Sequence, residues 1–232
     1  LKLADHCINY DLGNACLGFV NAMASMGMMI DVGLFDYGLI VDGENSREVV
    51  EATIQRLRQP DAKPEDFRDQ FATLTLGSGA VAMILCHRRL STSGHVVNGS
   101  VTRAATRHSR LCLGQRDRMT ADASKVLIFG VELAKKTWDL ASISLNRWSD
   151  AQINAYIPHQ VSRRNMDVLN DKLGLTPEKH HLNFPTLGNI GPAAVPITLG
   201  QAAESGRIRA GDHVALMGIG SGLNCSMMSV TW

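Results

Sequence analysis

The sequence predicts an α/β fold, and three observations carry that prediction. Short apolar runs of strand length alternate with longer stretches of helix length along most of the chain, the pattern of layered α/β domains. The second observation is internal repetition. Gly13–Asn14 precedes an apolar helix and then a strand beginning at Tyr37, and Gly188–Asn189 precedes a second apolar helix and a strand beginning at His213. Asn14 to Tyr37 spans 23 residues and Asn189 to His213 spans 24, so two similar α/β halves with a largely parallel sheet are expected. The third is composition. With 232 residues, 45% of them apolar and 19% charged, the chain can build a sizeable core and is not a disordered one.

Taken in order, His6–Tyr10 reads as a short strand entering the polar, glycine-containing turn at Asp11–Asn14. From Cys16 to Ile30, Leu17, Phe19, Val20, Met23, Met26 and Met29 recur at mixed helical spacings. Apolar residues fall on nearly every side, which predicts a helix buried all round, stopped at Gly33. Tyr37–Asp42 reads as a buried strand, 45–58 as a polar helix, and 60–69 as a charged surface segment. The run Leu76–Gly77–Ser78–Gly79–Ala80, whose glycines let backbones approach closely, leads into a strand at Val81–Leu85. Residues 87–125 are basic and irregular, with arginines at 88, 89, 103, 107, 110, 116 and 118. They read as a solvated loop or lid, with contact to a phosphate-bearing ligand as the alternative.

The rest of the chain continues the alternation. A helix at Val126–Ser149 precedes a strand at Ile153–Ile157 that ends in Pro158–His159–Gln160. Ser162–Leu173 is a helix stopped by Gly174, and His181–Phe184 a short strand. The turn Gly188–Pro192 opens a helix at Ala193–Ala203, with proline tolerated just inside the helix start. His213–Met217 reads as a buried strand, Gly218–Gly222 as a glycine turn, and Leu223–Trp232 as a closing strand.

A formal net charge of +1 argues against nucleic-acid or membrane-surface partners. Five cysteines, an odd number with no CxxC pair, argue for a reducing, cytoplasmic setting and against a disulfide framework or a zinc site. No stretch has the length of a membrane span, and the start lacks a signal peptide. The chain opens on Leu1 rather than methionine and almost at once enters strand-like sequence. An amino-terminal segment, in the same protein or on another chain, is therefore expected to precede it.

Three reactive positions fall at element ends, where ligands of α/β folds gather: Cys16, His159 and Asn189. Cys16 in the first turn of a buried helix would have its thiolate stabilised by free N–H groups and the helix dipole, as a nucleophile requires. A lone cysteine is otherwise a small buried hydrophobe. His159 after a proline can equally be structural, and Asn189 a turn residue that tolerates left-handed backbone.

Together, Asp11–Leu12–Gly13–Asn14–Ala15–Cys16–Leu17–Gly18–Phe19, Ile157–Pro158–His159–Gln160, Gly188–Asn189 and Gly218–Ile219–Gly220–Ser221–Gly222 resemble the thiolase superfamily. The nearest branch is the carrier-protein synthase III group, and within it the acyl-CoA condensing enzymes of olefin biosynthesis. The resemblance implies a five-layered α/β/α/β/α fold of two pseudo-repeats, a homodimer, and a chain that lacks the early part of the first repeat. Residues 1–125 would be the remainder of the amino-terminal half with the nucleophile and a lid or loop region. Residues 126–232 would be the carboxy-terminal half with the histidine and asparagine.

The same resemblance makes Cys16 the acylated nucleophile, His159 and Asn189 its polar partners, and the backbone N–H groups of Cys16 and Ser221 the oxyanion hole. Ser162, Arg164, Met23 and Gly220 are the candidate substrate contacts. Ser162 stands where many synthase III members carry asparagine. Coenzyme A thioesters are expected as substrates, with no separate cofactor and no metal. A helix-stabilised thiolate would need little help from a base, which assigns His159 and Asn189 to carbon–carbon bond formation. The motifs hold no carboxylate suited to removing an α-proton, and the resemblance implies a glutamate from the preceding segment, presented across the dimer.

Other readings compete. A synthase III condensing acyl-CoA with a malonyl group on carrier protein would use the same three residues. A cysteine protease would fit the 143 residues from Cys16 to His159, within the roughly 130–150 of papain-like enzymes, yet the cysteine signature of that family is absent. A non-enzymatic scaffold subunit would not need all three residues.

Overall fold

A computed structural model describes residues 4–115 and 117–232, so Arg116 of the basic segment lies outside the described residues. Its core is a four-stranded sheet in the order β3-β8-β7-β6, formed by Val96–Ala104 (β3), Ala155–Pro158 (β6), His213–Gly220 (β7) and Asn224–Thr231 (β8). A second sheet pairs Tyr37–Glu44 (β1) with Gly79–Cys86 (β2), and Cys112–Gly114 (β4) pairs with Met119–Ala121 (β5) in a small hairpin.

The period-2 pattern of the central strands builds two cores. From β7, Val214 and Leu216 point to one face and Ala215 and Met217 to the other. On β8, Met228 and Val230 join the first set, Cys225 and Met227 the second. The first core holds the helices Gly18–Asp31 (α1) and Ala194–Glu204 (α7), through Phe19, Val20, Val195 and Leu199, with Ile40 of β1 beyond them. The second packs against Ala123–Ser144 (α4) and Arg163–Leu173 (α5). Each fully buried Leu, Ile, Val or Met contributes about 1.5–3 kcal/mol. The described residues thus stack as α/β/α/β, with α1 and α7 sandwiched between the two sheets. The repeat read in the sequence is visible here: α1 leads to β1 as α7 leads to β7, and each of those strands has an antiparallel partner.

Several expectations are corrected. The sheet is not largely parallel, because among the described pairings only β6–β7 is. A connection as short as Ser221–Leu223 can join only antiparallel neighbours, which settles β7–β8. Residues 87–125 are not a loop throughout, since they supply β3, the edge strand beside β8. His6–Tyr10 forms no strand, and Ile8 and Tyr10 are exposed. The α1 helix is not buried all round: Phe19, Val20, Met23 and Ile30 are buried, whereas Met28 is exposed. Only Ile40 of β1 is buried, while Tyr37, Leu39, Val41 and Ile84 leave the outer face of β1–β2 apolar and exposed. The glycines at 218 and 220 continue β7 instead of forming a turn.

His181–Phe184 is not a strand either. The buried Gln160 amide takes over the pairing that a strand neighbour would have made. It donates to the His181 carbonyl (2.7 Å), and Oε1 accepts from the N–H groups of Asn183 (2.9 Å) and Phe184 (3.3 Å). Phe184–Leu187 then forms a one-turn helix, α6. Elsewhere the reading of 45–58 as a helix holds, in Arg47–Leu57 (α2), while the surface segment after it contains an unexpected short helix, Pro64–Gln70 (α3). Gly33 and Gly174 take left-handed conformations just past α1 and at the end of α5.

Candidate active site

Cys16 sits in a tight turn immediately before α1. The N–H of Leu17 donates to the carbonyl of Asn14 (3.0 Å) and that of Gly18 to Ala15 (2.9 Å). Ala15, between them, is held at φ +45°, a left-handed conformation that costs an L-residue about 1–2 kcal/mol. Such strain persists only where the surroundings over-determine it. The end of β7 is one of those surroundings, since a Cβ on Gly220 would come within 3.1 Å of the Asn14 carbonyl. Glycine lets the strand run directly against the cysteine turn and brings Ser221 to the same wall.

Asn189 is held by backbone pairing with a distant segment. Its N–H donates to the Thr75 carbonyl (2.9 Å), and its carbonyl accepts from Gly77 N–H (2.8 Å). A Cβ on Gly77 would lie 1.8 Å from the Leu187 carbonyl, so the close approach expected of the 76–80 glycines is real and this position depends on it. The Asn189 Oδ1 accepts from Gly191 N–H (3.1 Å), which leaves the Nδ2 donors uncommitted. His159 follows Pro158, the last residue of β6, and its N–H donates to the Met217 carbonyl (2.7 Å).

Cys16, His159, Asn189, Gly220 and Ser221 line one cavity of about 2000 Å³, with mostly apolar walls. Ligand cavities are commonly about 300–1,000 Å³, so this one has room for long apolar ligands. The remaining candidates do not share it. Met23 is buried in the core between the sheets, and Met26, one turn on, lines the cavity instead. Ser162 caps α5, accepting from Asn165 N–H (3.3 Å), and lines a separate shallow groove with Gly77 and Leu187. Arg164 is exposed on α5. Among the described residues no cluster of three potential metal ligands occurs.

The electrostatics overturn the expected thiolate. The α1 helix begins at Gly18, not at Cys16, so the cysteine lies ahead of the first turn. Burial, with Cys112 and Glu44 nearby, pushes its thiol up to about 12, and the protonated thiol is the resting form. Burial also pushes His159 down to about 4, against the favourable Gly191 carbonyl, so its imidazole is neutral at pH 7. Sequence reasoning missed two carboxyl groups. Asp42 and Glu44, two apart on β1, line the cavity and are each held above the usual carboxylate range by burial. Their period-2 spacing was the available signal, but an apolar strand carrying two acids reads as exposed at its end.

Comparison with known proteins places this geometry. Residues 143–232 match the model of the 3-oxoacyl-[acyl-carrier-protein] synthase III C-terminal domain. The chain is 44% identical over all 232 residues to an acyl-CoA:acyl-CoA alkyltransferase of Xanthomonas campestris, covering 68% of that protein. It is 36% identical over 235 aligned positions to the enzyme of the same name from Shewanella oneidensis, covering 67% of it and involving 96% of this chain. A crystal structure of a cysteine-to-serine variant of Xanthomonas campestris OleA, with bound lauric acid and lauroyl-CoA, superposes with a TM-score of 0.96 at 43% identity, over 99% of this chain and 68% of that one. Fold and site define a condensing acyltransferase of the thiolase superfamily. Within that class, the chain belongs to the acyl-CoA:acyl-CoA alkyltransferase family.

Proposed function

We propose that this chain joins two acyl-CoA molecules by a non-decarboxylative Claisen condensation to a β-keto product, a step of long-chain olefin biosynthesis. The carrying observation is that Cys16, His159, Asn189 and Ser221, from four separate segments, line a single apolar cavity. Cys16 Sγ attacks the first thioester carbonyl, its proton leaves, and coenzyme A departs as the acyl group becomes a thioester of the enzyme. Because the resting group is a thiol, neutral His159 is assigned to take that proton and hand it to the departing coenzyme A thiolate, a role the sequence did not call for. N–H groups of Cys16 and Ser221 meet the oxyanion. The second acyl-CoA loses an α-proton to the glutamate base that the family resemblance implies, which later returns it to the Cys16 thiolate. Its enolate oxygen is held by the Asn189 amide and the His159 N–H, and its α-carbon attacks the Cys16-bound carbonyl. A carbon–carbon bond forms and the Cys16 thiolate leaves, to be reprotonated.

Acyl-CoA as both substrates is favoured over malonyl carrier protein by the two alkyltransferase relatives, and no separate cofactor is needed in this scheme. The reading includes a cytoplasmic homodimer. The apolar outer face of β1–β2 supports a covering partner, since exposed patches of that kind mark interaction surfaces. Mass spectrometry after incubation with lauroyl-CoA tests the chemistry. A dodecanoyl adduct on Cys16, lost in Cys16→Ala together with product, is expected. Product from Cys16→Ala at a comparable rate would overturn it.

A further inference from the structure

A chain of side-chain hydrogen bonds, unused by the chemistry above, joins the two turns of the site. Asn224, at the start of β8, donates from Nδ2 to Oδ1 of Asn14 (3.1 Å) and to the Ser221 carbonyl (3.3 Å). Asn14 in turn donates to Oδ1 of Asn21 on α1 (2.6 Å), and Asn21 donates to Oγ of Ser226 (3.1 Å). Ser226 and Thr102 of β3 share a further bond at 2.7 Å. These links are part-buried, and the Asn14–Asn224 contact spans 210 positions of sequence. Each amide orientation fixes the next, because turning one amide over would set donor against donor or acceptor against acceptor.

The network therefore ties the turn that carries Cys16 to the turn that carries Ser221. The first turn carries the strain of left-handed Ala15, and the second ends in Gly222 at φ +120°, a conformation open to glycine. Preorganised donors work only when held within about 0.5 Å of the productive position.

We propose that Asn14 and Asn224 are positioning residues, setting the separation between the N–H groups of Cys16 and Ser221 and hence the stabilisation of the oxyanion. This rests on the assignment of those two N–H groups as the oxyanion hole. Asn224 does not line the cavity, so its effect is exerted through Asn14 and Ser221.

Two reactions of one thiol separate the possibilities. Acyl transfer from lauroyl-CoA develops an oxyanion, whereas alkylation by iodoacetamide displaces iodide at a saturated carbon and develops none. Single-turnover acylation is expected to fall about 10- to 100-fold in Asn14→Ala and in Asn224→Ala. Alkylation of Cys16 should stay within about twofold of the parent, and the double variant should be no slower than the worse single one, because both act through one bond. Unchanged acylation, additive losses, or acylation and alkylation falling together would overturn the proposal. Asn224→Leu keeps the approximate size while removing both donors and adding no charge, so the same expectation is read from it if the alanine variants do not fold. The underlying assignment fails separately, if the acyl adduct forms on a residue other than Cys16.

Discussion

At Cys16 the balance of local forces runs opposite to the usual picture of an activated cysteine. The helix dipole at the start of α1 favours the thiolate, while burial first, then Cys112 and Glu44, groups that can carry negative charge, oppose it. A thiol in such a place needs its proton removed as attack proceeds. Alkylation of Cys16 by iodoacetamide should therefore still be accelerating above pH 9. Glu44→Gln removes one of those charges and is expected to raise the alkylation rate at pH 8 by about two- to tenfold, as expected for a nearby carboxylate. An unchanged pH profile would show that burial alone sets the thiol. The two polar partners should separate in rapid-quench mass spectrometry. His159→Ala should slow adduct formation about 10²-fold, as loss of a proton acceptor does. Asn189→Ala should form the adduct at a rate near the parent's and lose about 10²–10³ in product, as loss of an enolate donor does. Equal loss of adduct in both would merge their roles.

Among the elements, the segment after β6 shows most clearly how one side chain decides a backbone path. Gln160 is fully buried and satisfies three main-chain groups of 181–184. Gln160→Leu keeps the volume and strands those groups, so it should destabilise the chain by about 2–4 kcal/mol in urea unfolding. A loss under 1 kcal/mol would show that water takes their place. Sequence alone reads 181–184 as a strand because local residue preference cannot contain the partner 21 positions away. The reading succeeded where a pattern is local: the apolar periodicity of α1, α4 and α7, the left-handed stops at Gly33 and Gly174, and the close approach at Gly77. It failed where the outcome depended on a distant neighbour. The pairing of β3 with β8, the exposure of Val41 and the protonation of Cys16 are all properties of the assembled layers. That Cys16, His159 and Asn189 share one cavity was legible because each lies in a short motif at an element end. Their supporting amides, apart from Asn14, lie in no such motif.

For the whole molecule, burial of neutral histidines makes stability depend on pH. His159 and His180 are buried and each is pushed down to about 4 from an ordinary value of 6.5, in both cases mainly by burial. The unfolded chain binds these protons first as pH falls, so stability is full above pH 6.5 and is lost between pH 6.5 and 4. Each site accounts for on the order of 2–3 kcal/mol across that window. Urea midpoints measured from pH 7.5 to 4.5 should fall steadily, and His180→Phe should flatten the lower part of the curve. Asp150 adds nothing in this window. Burial opposes its ionisation, but bonds from Thr176 and Tyr156 and the charge of Lys179 hold it at about 2, so its contribution is lost only below pH 4.

The strand order β3-β8-β7-β6 carries a consequence for how the protein is made. Among the described strands β8 comes last in sequence, yet it lies between β3 and β7. A ribosome that has not yet delivered Asn224–Thr231 holds a chain in which both of those strands present bare edges, and bare edges are where chains join one another. β3 waits for more than a hundred residues of synthesis before its partner exists. Asn224 arrives with that same strand, so the bond to Asn14 and the closure of this sheet form together. A nascent chain halted before residue 224 should aggregate or be held by chaperones rather than accumulate as a quiet intermediate.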